Sequence, residues 1–516
     1  MTRRQTNGSR DATGETLLTN GKSSKPATLT GKEEMAGDAT TKVELKKRIT
    51  LFHCVSIIVG IIIGAGIFVS PVGITIQVRS VGMSILMWFV VGVFSTLCAL
   101  CFAELGACLP ESGGEYVYIK RAWGDFPAFM CMWMNYLLIT PVTAAASSLV
   151  FANYMLRPLF PDCEPPRDVI QLLAALVIAL LVAINCHNVN WVTKLQAVIT
   201  GSKLLALLMV VVIGFIWLGK GNTENFQNSF EGTDLSAGAI AFAFYSGSWA
   251  FGGWNYLSFL TEEVIDPHRN LPLGIMISMG IITGVYMLAN VAYFAVLTPA
   301  EMLQSSAVAV TFLQRTVPGL SYVIPFLIAL SVVGALNGGI LSVSRLFYVA
   351  ARNNHLPSIV SMITIKRSTP VPSLVSLLIL IIIMQTFGNI FFLIEMMGFS
   401  LSIVLIMTFA GQVLLRWTEP GLYRPIKVPV VLPAVLILFN MAIMCITVYQ
   451  KPQESSIALV IIACGVPVYL LGTMKDKPKS IQRFIENFTE NLQKLLLVTV
   501  QDPDDSGEKD VGDSIS

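Results

Sequence analysis

Two glycine-interrupted stretches inside long apolar segments are the parts of this sequence best suited to hold a small polar molecule. The first contains Gly60, Gly64 and Gly66 within seven residues, and Pro71 follows. The second is residues 245–255, Tyr-Ser-Gly-Ser-Trp-Ala-Phe-Gly-Gly-Trp-Asn. Because glycine costs about 1 kcal/mol in a helix interior, each stretch predicts a helix break that frees backbone N–H and C=O groups. The alternative for the first stretch is close helix packing, since Gly60 and Gly64 have small-xxx-small spacing.

Three ionisable residues lie inside apolar segments. Lys203 is the deepest base, and a buried amine is costly enough to be a functional candidate; the alternative is that its ammonium reaches the membrane interface. The position of Glu104 near the end of its segment favours a structural role for this residue. Glu395 has no assigned role. The histidines are dispersed, so neither a metal centre nor a cofactor is expected; they are His53, His187, His268 and His355.

The elements that position these residues are predicted to be membrane helices. The 516 residues are 54% apolar and only 13% charged, against roughly 25% charged in a soluble domain. A net charge of +2 provides no field for nucleic acid, so the lipid bilayer is the expected environment. Twelve segments are long enough to span it: 51–78, 83–109, 125–157, 168–186, 192–219, 236–261, 272–298, 319–350, 371–388, 391–415, 428–449 and 455–474.

The distribution of Lys and Arg predicts that both termini are cytoplasmic. With that orientation, 27 of the 34 basic residues lie on the inside and six on the outside. The predicted organisation is a disordered N-tail (1–48), a twelve-helix domain (49–475) and a C-tail (476–516). The C-tail contains an amphipathic helix at about 480–498 that lies on the membrane or docks on the domain.

The two predicted breaks fall in spans one and six. Transporters built from two inverted repeats of five helices break the first helix of each repeat, which gives this spacing. At such breaks, N–H groups at a helix N-terminus bind a carboxylate and free carbonyls accept an ammonium group. The predicted fold is therefore a 5+5 inverted-repeat transporter with two extra helices, and its predicted substrate is a zwitterionic amino acid.

The chain resembles the light chains of the heteromeric amino-acid transporters, within the amino acid-polyamine-organocation superfamily. The resemblance covers about residues 45–475. It is carried by the segments Val55–Pro71, Ala99–Gly106, Glu111–Tyr116, Thr261–Glu263, Arg269–Leu273 and Ser344–Arg352.

The resemblance implies a substrate site at the two breaks. The first-span motif, which binds the carboxylate and amino groups, falls on Ile62, Ile63, Gly64, Ala65 and Gly66. In span six, the aromatic gate and part of the side-chain site fall on Trp249 and Gly252, with carbonyls near Phe244 and Ser246 reaching the amino group. Relatives that transport dibasic amino acids resemble one another in having an Asp at the position of Gly252. Glycine provides no anion at that position.

The resemblance also assigns roles to two single residues. Lys203 is similar to a lysine of sodium-independent relatives that substitutes for a bound sodium ion. Cys163, in a predicted outer loop, is similar to the cysteine that joins the light chain to a single-span type II glycoprotein; the alternative is a free surface thiol. Many light chains read Glu-Leu-Leu-Ile-Ile-Arg-Pro in span three, whereas this chain reads Asn-Tyr-Leu-Leu-Ile-Thr-Pro at 135–141.

Together these features predict a plasma-membrane, sodium-independent exchanger of large apolar L-amino acids, not an enzyme. One alternative is an exchanger of dibasic amino acids and cystine for neutral ones, for which Glu262, Glu263 or Glu395 would have to supply the anion. A more distant alternative is a uniporter or a non-transporting receptor.

Overall fold

The computed structural model describes most of the chain beyond the N-terminal tail. The described residues are 49–160, 163–187, 189–305, 307–353, 355–356, 360, 362–364, 370–387, 389–473, 479–496 and 498–499. The predicted N-tail and the last residues of the C-tail lie outside them.

The described residues are almost entirely helical. The helices are α1 Leu51–Ile62, α2 Gly66–Val78, α3 Val81–Cys108, α4 Glu115–Trp123, α5 Asp125–Met134, α6 Thr140–Leu156, α7 Arg167–His187, α8 Val189–Gly219, α9 Ala237–Ala250, α10 Pro267–Val296, α11 Pro299–Gln304, α12 Val308–Thr316, α13 Ile324–Arg352, α14 Val371–Gln385, α15 Ile390–Thr418, α16 Val431–Gln450, α17 Pro452–Ala463, α18 Gly465–Thr473 and α19 Lys479–Leu496. A π-helical turn, Asn135–Ile139, joins α5 to α6, and a 3-10 segment, Trp254–Glu263, follows α9. Shorter 3-10 turns lie at Arg157–Leu159, Glu224–Phe226 and Pro318–Leu320, and two short strands, β1 Ile363–Thr364 and β2 Val498–Thr499, pair antiparallel.

Within the described residues, eight helices are long and apolar enough to cross a membrane. A ninth span results if α1 and α2 are one broken helix, and two shorter apolar helices cover Ile324–Ile340 and Val371–Gln385. Large apolar side chains such as Leu172 and Val460 point away from the protein on these helices. The prediction of a helical membrane protein is confirmed, with the short pair of β1 and β2 as an exception.

The first predicted break is present, because α1 ends at Ile62 and α2 begins at Gly66 with a bend of 49° between them. Ile63 adopts an extended conformation and stops the helical hydrogen-bond ladder. The glycines therefore interrupt the span and do not only bring helices together.

The second predicted break is also present. Helix α9 ends at Ala250, and the chain turns through Phe251, Gly252 and Gly253 into the 3-10 segment. Gly253 has φ +119°, a conformation that L side chains rarely adopt, so glycine is required there.

The packing of the helices places the two breaks side by side. On one side of the breaks α2 packs against α9, and on the other α1 contacts the 3-10 segment. Helix α10 packs along α3 and α1, while α13 contacts both α6 and α8.

A buried ion pair joins α3 to α15. The carboxylate of Glu104 accepts hydrogen bonds from Arg416 at 2.8 and 2.6 Å and from the backbone N–H of Val428 at 2.7 Å. Arg416 also donates to the carbonyl of Val428. These contacts give Glu104 the structural role expected for it.

The C-tail helix α19 docks on the rest of the domain. Its residues Leu492 and Leu496 pack against the apolar core, and Gln493 contacts the sulfur of Met362 at 3.2 Å. The strand pair of β1 and β2 holds the end of this helix in place.

Candidate functional site

The two helix breaks are in direct contact. A Cβ atom added at Gly66 would lie 2.3 Å from Cα of Ala250, so only glycine allows this approach. The hydroxyl of Tyr286 in α10 lies 3.0 Å from the carbonyl oxygen of Ile62 and 3.2 Å from that of Ala250. Its proton is shared between one freed carbonyl at each break, which ties both breaks to α10.

A cavity of about 140 Å³ opens beside these breaks. Side chains from α3, α4, α6, α13, α15 and α16 complete its wall. Seven of the nine predicted substrate-binding residues line it: Ile62, Gly64, Ala65, Gly66, Phe244, Trp249 and Gly252.

The other two predicted binding residues, Ile63 and Ser246, are not among the described residues that line the cavity. Ile63 is packed in the core. The carbonyl of Ser246 accepts a hydrogen bond from Oγ of Ser70 in α2 at 2.6 Å. Phe244 does line the cavity, but it lies inside α9, where its carbonyl belongs to the helical ladder.

Residues at the end of α9 give the cavity one polar and one aromatic group. The hydroxyl of Ser248 is buried at the cavity and has no hydrogen-bond partner among the described residues. The ring of Trp249 lies beside it and is almost fully buried. A buried hydroxyl without a partner is costly, so Ser248 is suited to bind a polar ligand.

The N-terminus of α2 opens onto the cavity at Ala65 and Gly66. The first N–H groups of a helix have no partner within the helix, and the helix dipole adds positive potential there. This end of α2 can therefore bind a carboxylate. Ile61 and Ile62, at the end of α1, line the same cavity, and free carbonyls at a helix C-terminus can accept from an ammonium group.

Lys203 lies beside the first break but outside the cavity lining. Its side chain is 1% exposed, and its ammonium donates a hydrogen bond to the carbonyl of Gly60 in α1. The side chain therefore does not reach the membrane interface. Its ammonium, which is carried on α8, lies at the end of α1, where the backbone carbonyls have no partner within the helix.

Among the described residues of the cavity wall, Glu115, at the start of α4, is the one that carries a formal charge. Its side chain is buried, and Nδ2 of Asn255 lies 3.4 and 3.5 Å from its two carboxylate oxygens. Asn135 of the π-helical turn and Asn255 line the cavity next to it. Burial raises the pKa of Glu115 from 4.5 to about 7.

The acids that the dibasic alternative requires do not line the cavity. Glu395 pairs with Lys451, whose ammonium lies 4.5 Å from the ring centre of Phe242. Glu263 is also absent from the lining, and the side chain of Glu262 lies outside the described residues. The carboxylate of the cavity is instead Glu115.

Cys163 is exposed in the segment before α7. Its backbone carbonyl accepts a hydrogen bond from Arg157 at 3.2 Å. Cys445 and Cys464 are the other exposed cysteines among the described residues, and both lie at apolar spans, whereas Cys163 lies in a connecting segment.

Sequence reasoning missed Tyr286, Ser248, Glu115 and Asn255. Ser248 and Asn255 stand inside the glycine-interrupted stretch of span six, so their proximity to the break was available from the sequence. Tyr286 and Glu115 reach the site from α10 and α4, and no spacing along the chain indicates that contact.

Comparison with known proteins gives a match to the family model described as amino acid permease, over residues 49–466. The large neutral amino acids transporter small subunit 2 of Rattus norvegicus is 40% identical over 492 residues, 94% of this chain and 92% of that protein. The cystine/glutamate transporter of Homo sapiens is 42% identical over 462 residues, 89% of this chain and 92% of that protein. The Asc-type amino acid transporter 1 of Mus musculus is 39% identical over 464 residues, 89% of this chain and 88% of that protein.

Proposed function

Since this chain belongs to the amino acid permease family, we propose that it is a sodium-independent exchanger of large, apolar L-amino acids. The observation that carries this proposal is the cavity formed where the two broken helices meet. The rat relative is named for large neutral amino acids, which agrees with an apolar side-chain site. No catalytic step is part of the proposal.

The proposed fold is twelve spans arranged as two inverted five-helix repeats followed by two further helices. The two breaks support it, because they occupy the first helix of each proposed repeat, at Ile63–Ala65 and Phe251–Gly253. Both termini are proposed to be cytoplasmic at the plasma membrane, which the distribution of Lys and Arg supports.

The break residues are proposed to bind the part that all amino acids share. The substrate carboxylate lies at the N–H groups of Gly64, Ala65 and Gly66, and its ammonium group lies at the carbonyls of Ile61 and Ile62. Ser248 supplies the hydroxyl that completes these contacts.

Selectivity then depends on the wall that faces the side chain. Trp249 and Gly252 offer an aromatic surface beside an open space, and each Å² of apolar surface removed from water gains about 25 cal/mol. This favours leucine, isoleucine, methionine or phenylalanine over small polar amino acids.

Lys203 is proposed to replace a bound sodium ion. Its ammonium contacts the Gly60 carbonyl at the end of α1, where a cation compensates the negative end of the helix dipole. A fixed cation makes a dissolved one unnecessary.

The chain is proposed to act as the light chain of a disulfide-linked heterodimer. The term "small subunit" in the rat relative's name and the exposure of Cys163 support this. The partner is a type II single-span glycoprotein whose cysteine would join Cys163 outside the membrane.

Exchange is tested with vesicles that contain the full-length chain and its partner. Vesicles loaded with unlabelled leucine should take up labelled leucine faster than empty vesicles, with or without sodium. Equal rates in loaded and empty vesicles would favour a uniporter. Absence of uptake in both would favour a receptor. If arginine exchanges as well as leucine, the dibasic alternative replaces the neutral proposal.

A further inference from the structure

We infer that Glu115 is a specificity-determining residue whose carboxylate pairs with the positively charged side chain of a dibasic amino acid. The cavity would then accept arginine or lysine besides its large neutral substrates. This inference rests on the proposed amino-acid exchange and names a second substrate class for the same site.

The first support is that Glu115 differs from the other buried acids. Glu104 is paired with Arg416, and Glu395 with Lys451. Among the residues that the structure describes, no basic side chain forms an ion pair with Glu115. A buried anion without a counter-ion is costly, so this position favours binding of a cation or a proton.

The second support is that the hydrogen bonds of Glu115 leave room for a better donor. The side chain of Asn135 and the backbone N–H of Glu115 also contact the carboxylate, while the contacts to Asn255, at 3.4 and 3.5 Å, come from one amide nitrogen and are long for N–H···O bonds. A carboxylate has about four acceptor sites, and a guanidinium group can fill two of them in a bidentate pair.

The third support is the path from the breaks to Glu115. Asn255 follows Gly253 by two residues, about 4 Å along a 3-10 helix, and Gly253 lies against Ile61 and Ile62. Glu115, which Asn255 contacts, therefore lines the same cavity as the break residues. A substrate held at the breaks by its carboxylate and amino group would extend a long side chain toward it.

The other groups around Glu115 are uncharged at neutral pH. They are Tyr118 on its own helix, Cys131 in α5, Asn135 in the π-helical turn, and Asn255 and Tyr256 in the 3-10 segment. The bases of α4 are engaged elsewhere, since Lys120 bonds to Asn353 and Arg121 pairs with Glu419. The charge on the substrate side chain is thus the main electrostatic variable at this carboxylate.

The test compares arginine with citrulline, which has nearly the same shape but no charge. Leucine-loaded vesicles with the full-length chain should take up arginine more slowly than leucine, because its charge must leave water, but clearly faster than citrulline. Glu115→Gln should lower arginine uptake about tenfold and leave leucine and citrulline uptake within twofold. Glu111→Gln, at an exposed acid of the same loop, is the matched control and should change none of the three.

Two further measurements separate recognition from a structural role. Glu115→Asp keeps the charge and should retain part of the preference for arginine over citrulline. Because Glu115 is ionised only above its raised pKa of about 7, wild-type arginine uptake should rise between pH 6 and 8, while leucine uptake and the Glu115→Gln variant should not follow.

Equal uptake of arginine and citrulline by the wild type would overturn the inference. So would an equal loss of all three substrates in Glu115→Gln, which would indicate a structural carboxyl group. Absence of leucine exchange in the wild type would instead refute the proposed neutral exchange, and arginine-loaded vesicles would then show whether arginine is preferred over citrulline and whether that preference depends on Glu115.

Discussion

At the scale of single residues, the role proposed for Lys203 connects the break in span one to the ion dependence of transport. Its ammonium is buried and bonded to the Gly60 carbonyl, so Lys203→Ala removes both the charge and the partner of that carbonyl. We expect this variant to lower leucine uptake at least about tenfold. Lys220→Ala, at an exposed position just beyond α8, is the control and should leave uptake unchanged.

The sodium substitution itself is measured by replacing sodium with choline. Wild-type uptake should remain nearly constant, since the cation at the break belongs to the protein. Uptake that stops in choline would contradict the role assigned to Lys203.

Gly252 is the residue at which a new charge should alter selectivity most directly. Gly252→Asp places a carboxylate in the cavity wall and should raise the affinity for lysine relative to leucine by about tenfold, measured by competition with labelled leucine. A Cβ atom there would lie 3.2 Å from the Trp249 carbonyl oxygen, so the backbone must adjust slightly. Gly252→Asn requires the same adjustment without the charge; an equal change in both variants would exclude the electrostatic explanation.

At the scale of elements, the sequence was most informative about features whose stability depends on a few neighbouring residues. Glycines inside apolar runs predicted both breaks, because the loss of helix stability depends on neighbouring residues alone. The side that each residue faces was harder to predict. The Ser246 carbonyl accepts a hydrogen bond from Ser70 because α2 and α9 pack against each other, and Glu115 reaches the cavity because α4 packs against α15. Both facts depend on contacts between distant segments.

The ion pair between α3 and α15 gives a prediction about stability. Glu104→Gln leaves Arg416 buried with an uncompensated charge, which costs about 3–5 kcal/mol. The Tm of the purified protein in detergent should fall clearly. Glu419→Gln breaks the more exposed pair with Arg121 and should change the Tm little; equal shifts in the two variants would argue against a special role for burial.

At the scale of the whole molecule, the membrane environment was predictable from composition, since lipid-facing helices need apolar side chains all along their length. The proposed heterodimer depends on a surface that composition does not reveal. Cys163 is exposed outside the apolar spans, whereas Cys445 and Cys464 lie at membrane helices, so Cys163 is the position assigned to the proposed intersubunit bond.

If Cys163 forms the intersubunit bond, non-reducing electrophoresis of cells that express the chain with its partner should show a larger species that a reducing agent converts to the single chain. Cys163→Ser should abolish this species, because no second thiol replaces the one lost. Cys445→Ser and Cys464→Ser should leave it intact, since thiols on lipid-facing helices do not reach a partner domain outside the membrane. A larger species that survives Cys163→Ser would assign the bond to another cysteine and remove the main structural support for the proposed heterodimer.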